Sequence, residues 1–87
     1  MLTIKTDITV APGAEIDFFA SAGLASGDIV YIQNKTAATS VLLRTVTSTG
    51  DDGLVLPDNR IFEITVGDTL FVKNTGFSTV TLAVAIG

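Results

Sequence analysis

The chain has 87 residues, enough for one small domain but not for two separate hydrophobic cores. It contains no His and no Cys, which excludes most zinc sites, thiol catalysis and Ser-His-Asp catalysis. Five basic residues stand against nine acidic ones, so the net charge of -4 does not favour nucleic-acid binding. Because 47% of the residues are hydrophobic and only 16% are charged, we expect one ordered domain over residues 1–87.

The pattern along the chain predicts short β-strands separated by turns. Thr, Val and Ile dominate the ordered stretches, and their branched Cβ atoms favour a pleated strand over a helix. Turn-forming Gly, Pro, Asp and Asn residues separate eight predicted strands, which lie near 2–10, 15–19, 28–34, 39–47, 53–56, 60–66, 69–74 and 79–86. Residues 19–25 are predicted as a connection with at most one helical turn. This spacing predicts an all-β fold, a small antiparallel, jelly-roll-like β-sandwich.

The two halves of the chain resemble each other. Residues 27–34 match 67–74 at an offset of 40, and 10–16 match 55–61 at an offset of 45. In both halves Gly-Asp supplies one tight turn and Asn the next, since these residues tolerate positive φ. We therefore predict two similar four-strand halves that stack their apolar faces. The predicted core includes Ile29, Tyr31, Leu42, Leu70, Val72 and Leu82.

Two groups of acidic residues are candidate polar sites. Asp51 and Asp52, with Asp58 nearby, offer oxygen ligands for Ca²⁺, but glycines flank the pair as in an exposed turn and the spacing of a Ca²⁺ loop is missing. We predict that these three aspartates bind no metal. Glu15 and Asp17 alternate along one strand, either as an acid/base pair or as the charged outer face of a half-buried strand, and we favour the latter.

Asparagine and aromatic residues give two further alternatives. Asn34 begins a formal N-glycosylation sequon, but the corresponding Asn74 does not, which favours a turn role for both. Tyr31, Phe71 and Phe77 are either a small sugar-stacking surface or, for the first two, equivalent core positions in the two halves. Neither a secretory signal nor an apolar run long enough to span a membrane is visible, so we expect no membrane partner.

Several strands are apolar on both faces, which is the most informative anomaly of the sequence. These strands contain residues 29–32, 41–43, 70–72 and 82–86. In a lone small sandwich each strand has one face in water, so strict alternation is expected. We expect the extra apolar face to be covered by neighbouring copies or by another protein; the alternative is that residues 19–27 and 47–53 fold back over it.

The order of these motifs resembles small all-β virion structural proteins of tailed bacteriophages. It runs from a Pro turn and an aromatic strand to Gly-Asp with Val-Tyr-Ile-Gln-Asn, then to Gly-Asp-Thr-Leu-Phe-Val-Lys-Asn and a Thr/Val/Ala ending. The resembling group includes capsid decoration (cement) proteins and short fibre, neck or baseplate domains. The resemblance implies a symmetric homo-oligomer, often a trimer, bound to a larger virion protein such as the major capsid protein.

From this resemblance we expect a non-enzymatic capsid decoration protein, located in the virion and assembled in the host cytoplasm. We expect no catalytic, cofactor-binding or metal residues, and no nucleic-acid partner. The alternative is a host-adhesion or carbohydrate-binding β-sandwich module of a phage tail or fibre. Clustered exposed aromatic side chains favour that alternative, whereas a stable oligomer without a small ligand favours the decoration protein.

Overall fold

The structure, a computed structural model, describes residues 2–45 and 53–87. In these residues nine strands and one four-residue helix form two antiparallel sheets, so the predicted all-β sandwich is confirmed. The elements are β1 (Thr3–Ile4), β2 (Ile8–Val10), β3 (Glu15–Asp17), α1 (Phe18–Ser21), β4 (Ile29–Asn34), β5 (Ser40–Arg44), β6 (Leu54–Pro57), β7 (Ile61–Thr65), β8 (Phe71–Lys73) and β9 (Val80–Ile86).

The strand order is that of a jelly roll. Sheet A has the order β1-β9-β4-β7, with β2 also paired to β9, and sheet B has the order β3-β8-β5-β6. Counting β1 and β2 as one interrupted strand gives the eight strands and the two Greek keys of that fold. Most connections carry the chain from one sheet to the other; the hairpin between β5 and β6 stays within sheet B.

The two halves of the sequence are equivalent, but they interleave instead of stacking. Strand β4 lies between β7 and β9 of the second half, and the corresponding β8 lies between β3 and β5 of the first half. Residues 28–34 and 68–74 therefore hold equivalent positions, as predicted. The prediction that each half forms its own layer is wrong, because the turns cross the sandwich and give each sheet strands from both halves.

The core lies between the sheets and confirms only part of the predicted set. Leu70, Val72 and Leu82 are buried there. Ile29 and Tyr31 are not, since side chains alternate along a strand and Val30 and Ile32 take the inward positions of β4. Leu42 is also buried, but it lies outside the core cluster. The largest fully buried core side chains are Phe18, Ile32, Leu56 and Leu82.

Residues 18–24 complete the core. Strand β3 ends at Asp17, two residues earlier than predicted, because the N–H of Ala20 donates to Asp17 Oδ1 at 3.1 Å and caps the single turn α1. Phe18 and Leu24 then pack into the core. This segment therefore does not fold back over an outer face as the alternative proposed, and residues 47–52 of that alternative lie outside the described residues. In the described part of the chain no helix is long enough to cross a membrane.

Candidate functional site

The outer face of sheet A carries an apolar groove whose floor is formed by two alanines. Leu82 and Val84 of β9 point into the core, so Ala83 and Ala85 lie on the outer face. The neighbouring strand β4 places Gln33 opposite Ala83 and Tyr31 opposite Ala85. Small side chains between larger ones leave a depression along the middle of the sheet.

Exposed aliphatic residues form the walls of this groove. Strand β1 places Ile4 opposite Ala85, and strand β7 places Ile61 opposite Gln33. Leu2, Ile4 and Ile61 are 57%, 82% and 60% exposed. The groove has a volume of about 260 Å³, and its lining residues are Leu2, Ile4, Tyr31, Gln33, Ile61, Ala83, Val84 and Ala85.

The chemistry of the groove is apolar contact. Among the described residues that line it there is no carboxylate, amine or thiol, and the polar side-chain groups are the Gln33 amide and the Tyr31 phenol. Glu63 lies opposite Tyr31 on the next strand, toward the edge of the sheet. Such a surface can bind another apolar surface or side chain.

The outer face of sheet B combines charged side chains with the apolar side chains of Leu42, Phe71 and Val55, which alternate with core residues along their strands. Glu15, Lys73 and Arg44 lie on it, and Arg44 Nε donates to Glu15 Oε2 at 2.5 Å. The Arg44 side chain is only 5% exposed. Asp17 caps helix α1 from the same face. The prediction of a charged outer face on β3 is confirmed, and the structure gives both β3 carboxylates structural partners.

The two predicted turn asparagines are fully buried and make equivalent hydrogen bonds. The N–H of Thr36 donates to Asn34 Oδ1, and the N–H of Gly76 donates to Asn74 Oδ1, both at 3.0 Å. Each amide also donates across the sandwich, Asn34 Nδ2 to the carbonyl of Leu56 at 3.5 Å and Asn74 Nδ2 to that of Val10 at 3.0 Å. The turn role is confirmed for both residues.

The three candidate metal ligands are not assembled by the described residues. Asp58 accepts a hydrogen bond from the N–H of Ala38 at 2.9 Å and so holds the loop between β4 and β5. Asp51 and Asp52 lie outside the described residues. Within 2–45 and 53–87 there is no group of three or more acidic, His or Cys residues that could hold a metal ion. That the three aspartates bind no metal stays a prediction.

The three aromatic residues considered for sugar stacking lie on different surfaces. Tyr31 lies in the groove of sheet A. Phe71 alternates with the core residues Leu70 and Val72 and therefore faces outward from sheet B. Phe77, 99% exposed, lies in the loop between β8 and β9. Tyr31 and Phe71 are equivalent, as predicted, but on outer faces and not in the core.

Comparisons of the chain with protein-family models, with curated proteins and with solved structures found no match.

Proposed function

We propose that the chain is a non-enzymatic structural protein of a bacteriophage particle, a capsid decoration protein that binds the shell as a symmetric oligomer. The observation that carries the structural role is the apolar outer face of sheet A. The assignment to a phage particle, the major capsid protein as partner and the trimer as the first choice of oligomer come from the sequence resemblance. Another copy of the chain covers the apolar face in this proposal.

The size and chemistry of the face support a protein partner. Soluble monomers rarely expose a contiguous apolar patch beyond a few hundred Å², and covering such a surface stabilises an assembly by roughly 25 cal/mol per Å². The sandwich measures 34 × 25 × 17 Å. One broad side of the whole sandwich is therefore comparable with the ~800 Å² per partner of a standard protein interface, and the apolar groove is one part of that side. Sheet B remains available for the shell.

A matched pair of substitutions tests this proposal. Ile61 and Val55 are exposed, branched residues on the edge strands of sheet A and sheet B, 60% and 54% exposed respectively. We expect sedimentation of the wild-type chain at micromolar concentration to give a multiple of 9.0 kDa. Ile61→Glu should reduce that mass to the monomer without lowering the melting temperature, whereas Val55→Glu should leave the oligomer intact. A wild-type monomer would contradict the proposal.

The carbohydrate-binding alternative has less support. Glycan-binding platforms use aromatic side chains side by side, whereas Tyr31, Phe71 and Phe77 lie on separate surfaces of this sandwich. Thermal melts with a panel of surface glycans separate the two functions. A rise of several degrees with one glycan would favour the adhesion module, because ligand binding to the folded state stabilises it.

A further inference from the structure

We propose that Phe77 of one copy inserts into the groove of sheet A of the next copy, so that the oligomer is assembled head to tail. This inference rests on the proposed function, because it names the residues through which the copies meet. The chain then carries both parts of the contact, an exposed ring on one loop and an apolar groove on one sheet face.

Phe77 is presented by a loop that is already held in place. Its side chain is 99% exposed at the centre of the loop between β8 and β9. On either side, Gly76 donates its N–H to Asn74 Oδ1 at 3.0 Å, and Asn74 Nδ2 donates to the carbonyl of Ser78 at 2.7 Å. A preformed loop loses little conformational freedom on binding, which favours affinity.

The fold itself does not need an aromatic residue at this position. In the other half of the chain Asn34 holds the equivalent loop with the same type of hydrogen bonds. Three residues after Asn34 stands Ala37, whereas three residues after Asn74 stands Phe77. The two loops are thus held by equivalent asparagines but expose different side chains. Because folding does not require the ring of Phe77, we attribute its exposure to a role outside the folding of the subunit.

The groove has the size and the lining that suit one aromatic ring. A cavity of ~150 Å³ lined by aliphatic and aromatic groups binds benzene, and pockets for drug-sized ligands begin at ~300 Å³. At about 260 Å³ the groove lies between these values. The alanine floor allows a ring to enter, aliphatic walls contact its edges, and Tyr31 offers an aromatic neighbour in the offset or edge-to-face arrangement that rings prefer.

Phe77 does not occupy the groove of its own chain, because its side chain is 99% exposed. Strand β9 rises about 3.3 Å per residue, so the floor residues Ala83 and Ala85 lie roughly 10 Å and 17 Å along the strand from Val80, and farther from the loop. The ring must therefore come from another copy. Two grooves placed face to face would enclose a void over their alanine floors and lose contacts there, whereas a protruding ring fills the depression.

The electrostatics permit this contact. Residues 75–79 read Thr-Gly-Phe-Ser-Thr and carry no charge, and the lining of the groove is also uncharged. Inserting the ring therefore places no charge of the loop or of the lining in an apolar contact, which avoids a large desolvation cost, and Glu63 beside Tyr31 lies toward the edge of the sheet. Copies that repeat this contact in the same sense form a closed ring of subunits or an open filament, whereas two copies related by a two-fold axis make the contact twice within one dimer.

A mixing experiment tests the head-to-tail contact. Phe77→Ser removes the ring and leaves the groove, whereas Ala83→Phe fills the groove and leaves the ring. Each variant alone should sediment as a monomer, with a dissociation constant raised by about 30-fold or more, as for the loss of an interface hot spot. An equimolar mixture should form a dimer of twice 9.0 kDa that grows no further, since only one ring and one matching groove remain.

The control and the contradicting outcomes are distinct. Leu54→Ser removes a 63% exposed aliphatic side chain from sheet B and should leave the wild-type oligomer unchanged. If Phe77→Ser keeps the oligomer, or if both variants dissociate and their mixture stays monomeric, the inference is wrong while the proposed oligomer stands. A wild-type monomer overturns both. Melting curves verify folding, and Ala83→Leu is the second groove variant if the ring at position 83 destabilises the subunit.

Discussion

The outer faces of the two sheets occupy equivalent places in the fold but differ in the charge that they carry. On sheet A, Tyr31 lies opposite Ala85 on the neighbouring strand. At the equivalent place on sheet B, Phe71 lies opposite Arg44. Both faces have an aromatic residue at this place. Its cross-strand neighbour is an alanine on sheet A and an arginine on sheet B.

The neighbouring cross-strand pairs also differ in charge, being uncharged on sheet A and charged on sheet B. Gln33 lies opposite Ile61 on sheet A, and Lys73 lies opposite Glu15 on sheet B. On sheet B the nearly buried Arg44 side chain reaches Glu15 along the face, whereas the corresponding part of sheet A holds the groove. One jelly roll thus accommodates both surfaces. The apolar face of sheet A is not needed to build a sheet of this kind, and we attribute it to assembly.

The largest expected effect comes from the buried asparagine that each half of the chain contains. Asn34→Ala and Asn74→Ala each remove buried hydrogen bonds to a turn and to the opposite sheet. We expect each to lower the free energy of unfolding by about 2–4 kcal/mol, since buried carbonyl and N–H groups lose their partners. Urea denaturation measures both, and Gln33→Ala is the control on the same strand. If the two variants lower the free energy of unfolding by amounts that differ by more than about 2 kcal/mol, the equivalence of the halves is contradicted.

A smaller effect is expected from the ion pair that distinguishes sheet B. Arg44→Ala should lower the free energy of unfolding by about 1–3 kcal/mol, less than the loss of a fully buried pair, because the Glu15 side chain is 22% exposed. A double-mutant cycle with Glu15→Ala isolates the coupling of the two side chains.

The exposed pair of Lys35 and Asp7, 2.7 Å apart, is the control for this cycle. Its side chains are 48% and 41% exposed, so we expect a coupling of only ~0.2–1 kcal/mol. Salt should weaken the coupling of the control pair more than that of Arg44 and Glu15. Equal couplings for the two pairs would show that burial of Arg44 contributes nothing to the stability of sheet B.

The sequence predicted the elements and the repeat well because both are local patterns. Turn residues divide the chain where the strands end, and the match of Asn34 to Asn74 correctly relates β4 to β8. The offset of 45, which relates residues 10–16 to residues 55–61, is one residue too short. That offset matches Ile16 to Ile61, but Ile16 pairs with Val72 in the way that Phe62 pairs with Ile32.

A shift of one residue reverses the face to which a strand side chain points. Ile61 therefore lies in the groove and Phe62 packs against the core, the opposite of what the match to Ile16 implies. The sequences of β4 and β9 predict that an extra apolar face exists. They do not predict where on the sandwich it lies. Phe77 was noted only as an aromatic residue, since its exposure depends on how the loop lies in the fold.

The smallest expected effect on stability, and the most direct test of the two faces, comes from making sheet A resemble sheet B. Gln33 and Ile61 are cross-strand partners on sheet A, as Lys73 and Glu15 are on sheet B. The double variant Gln33→Lys/Ile61→Glu therefore places the lysine and glutamate of sheet B at the equivalent positions of sheet A. We expect the free energy of unfolding to change by less than ~1 kcal/mol, as for an exposed ion pair. The same variant should sediment as a monomer, because the groove wall loses Ile61 and gains charges that cannot be buried without cost. Leu54→Lys/Val55→Glu adds the same charges to exposed positions of β6 and should keep the oligomer. An oligomer that persists in the first variant would locate the subunit contact elsewhere, and the chemical difference between the two faces would then have no part in assembly.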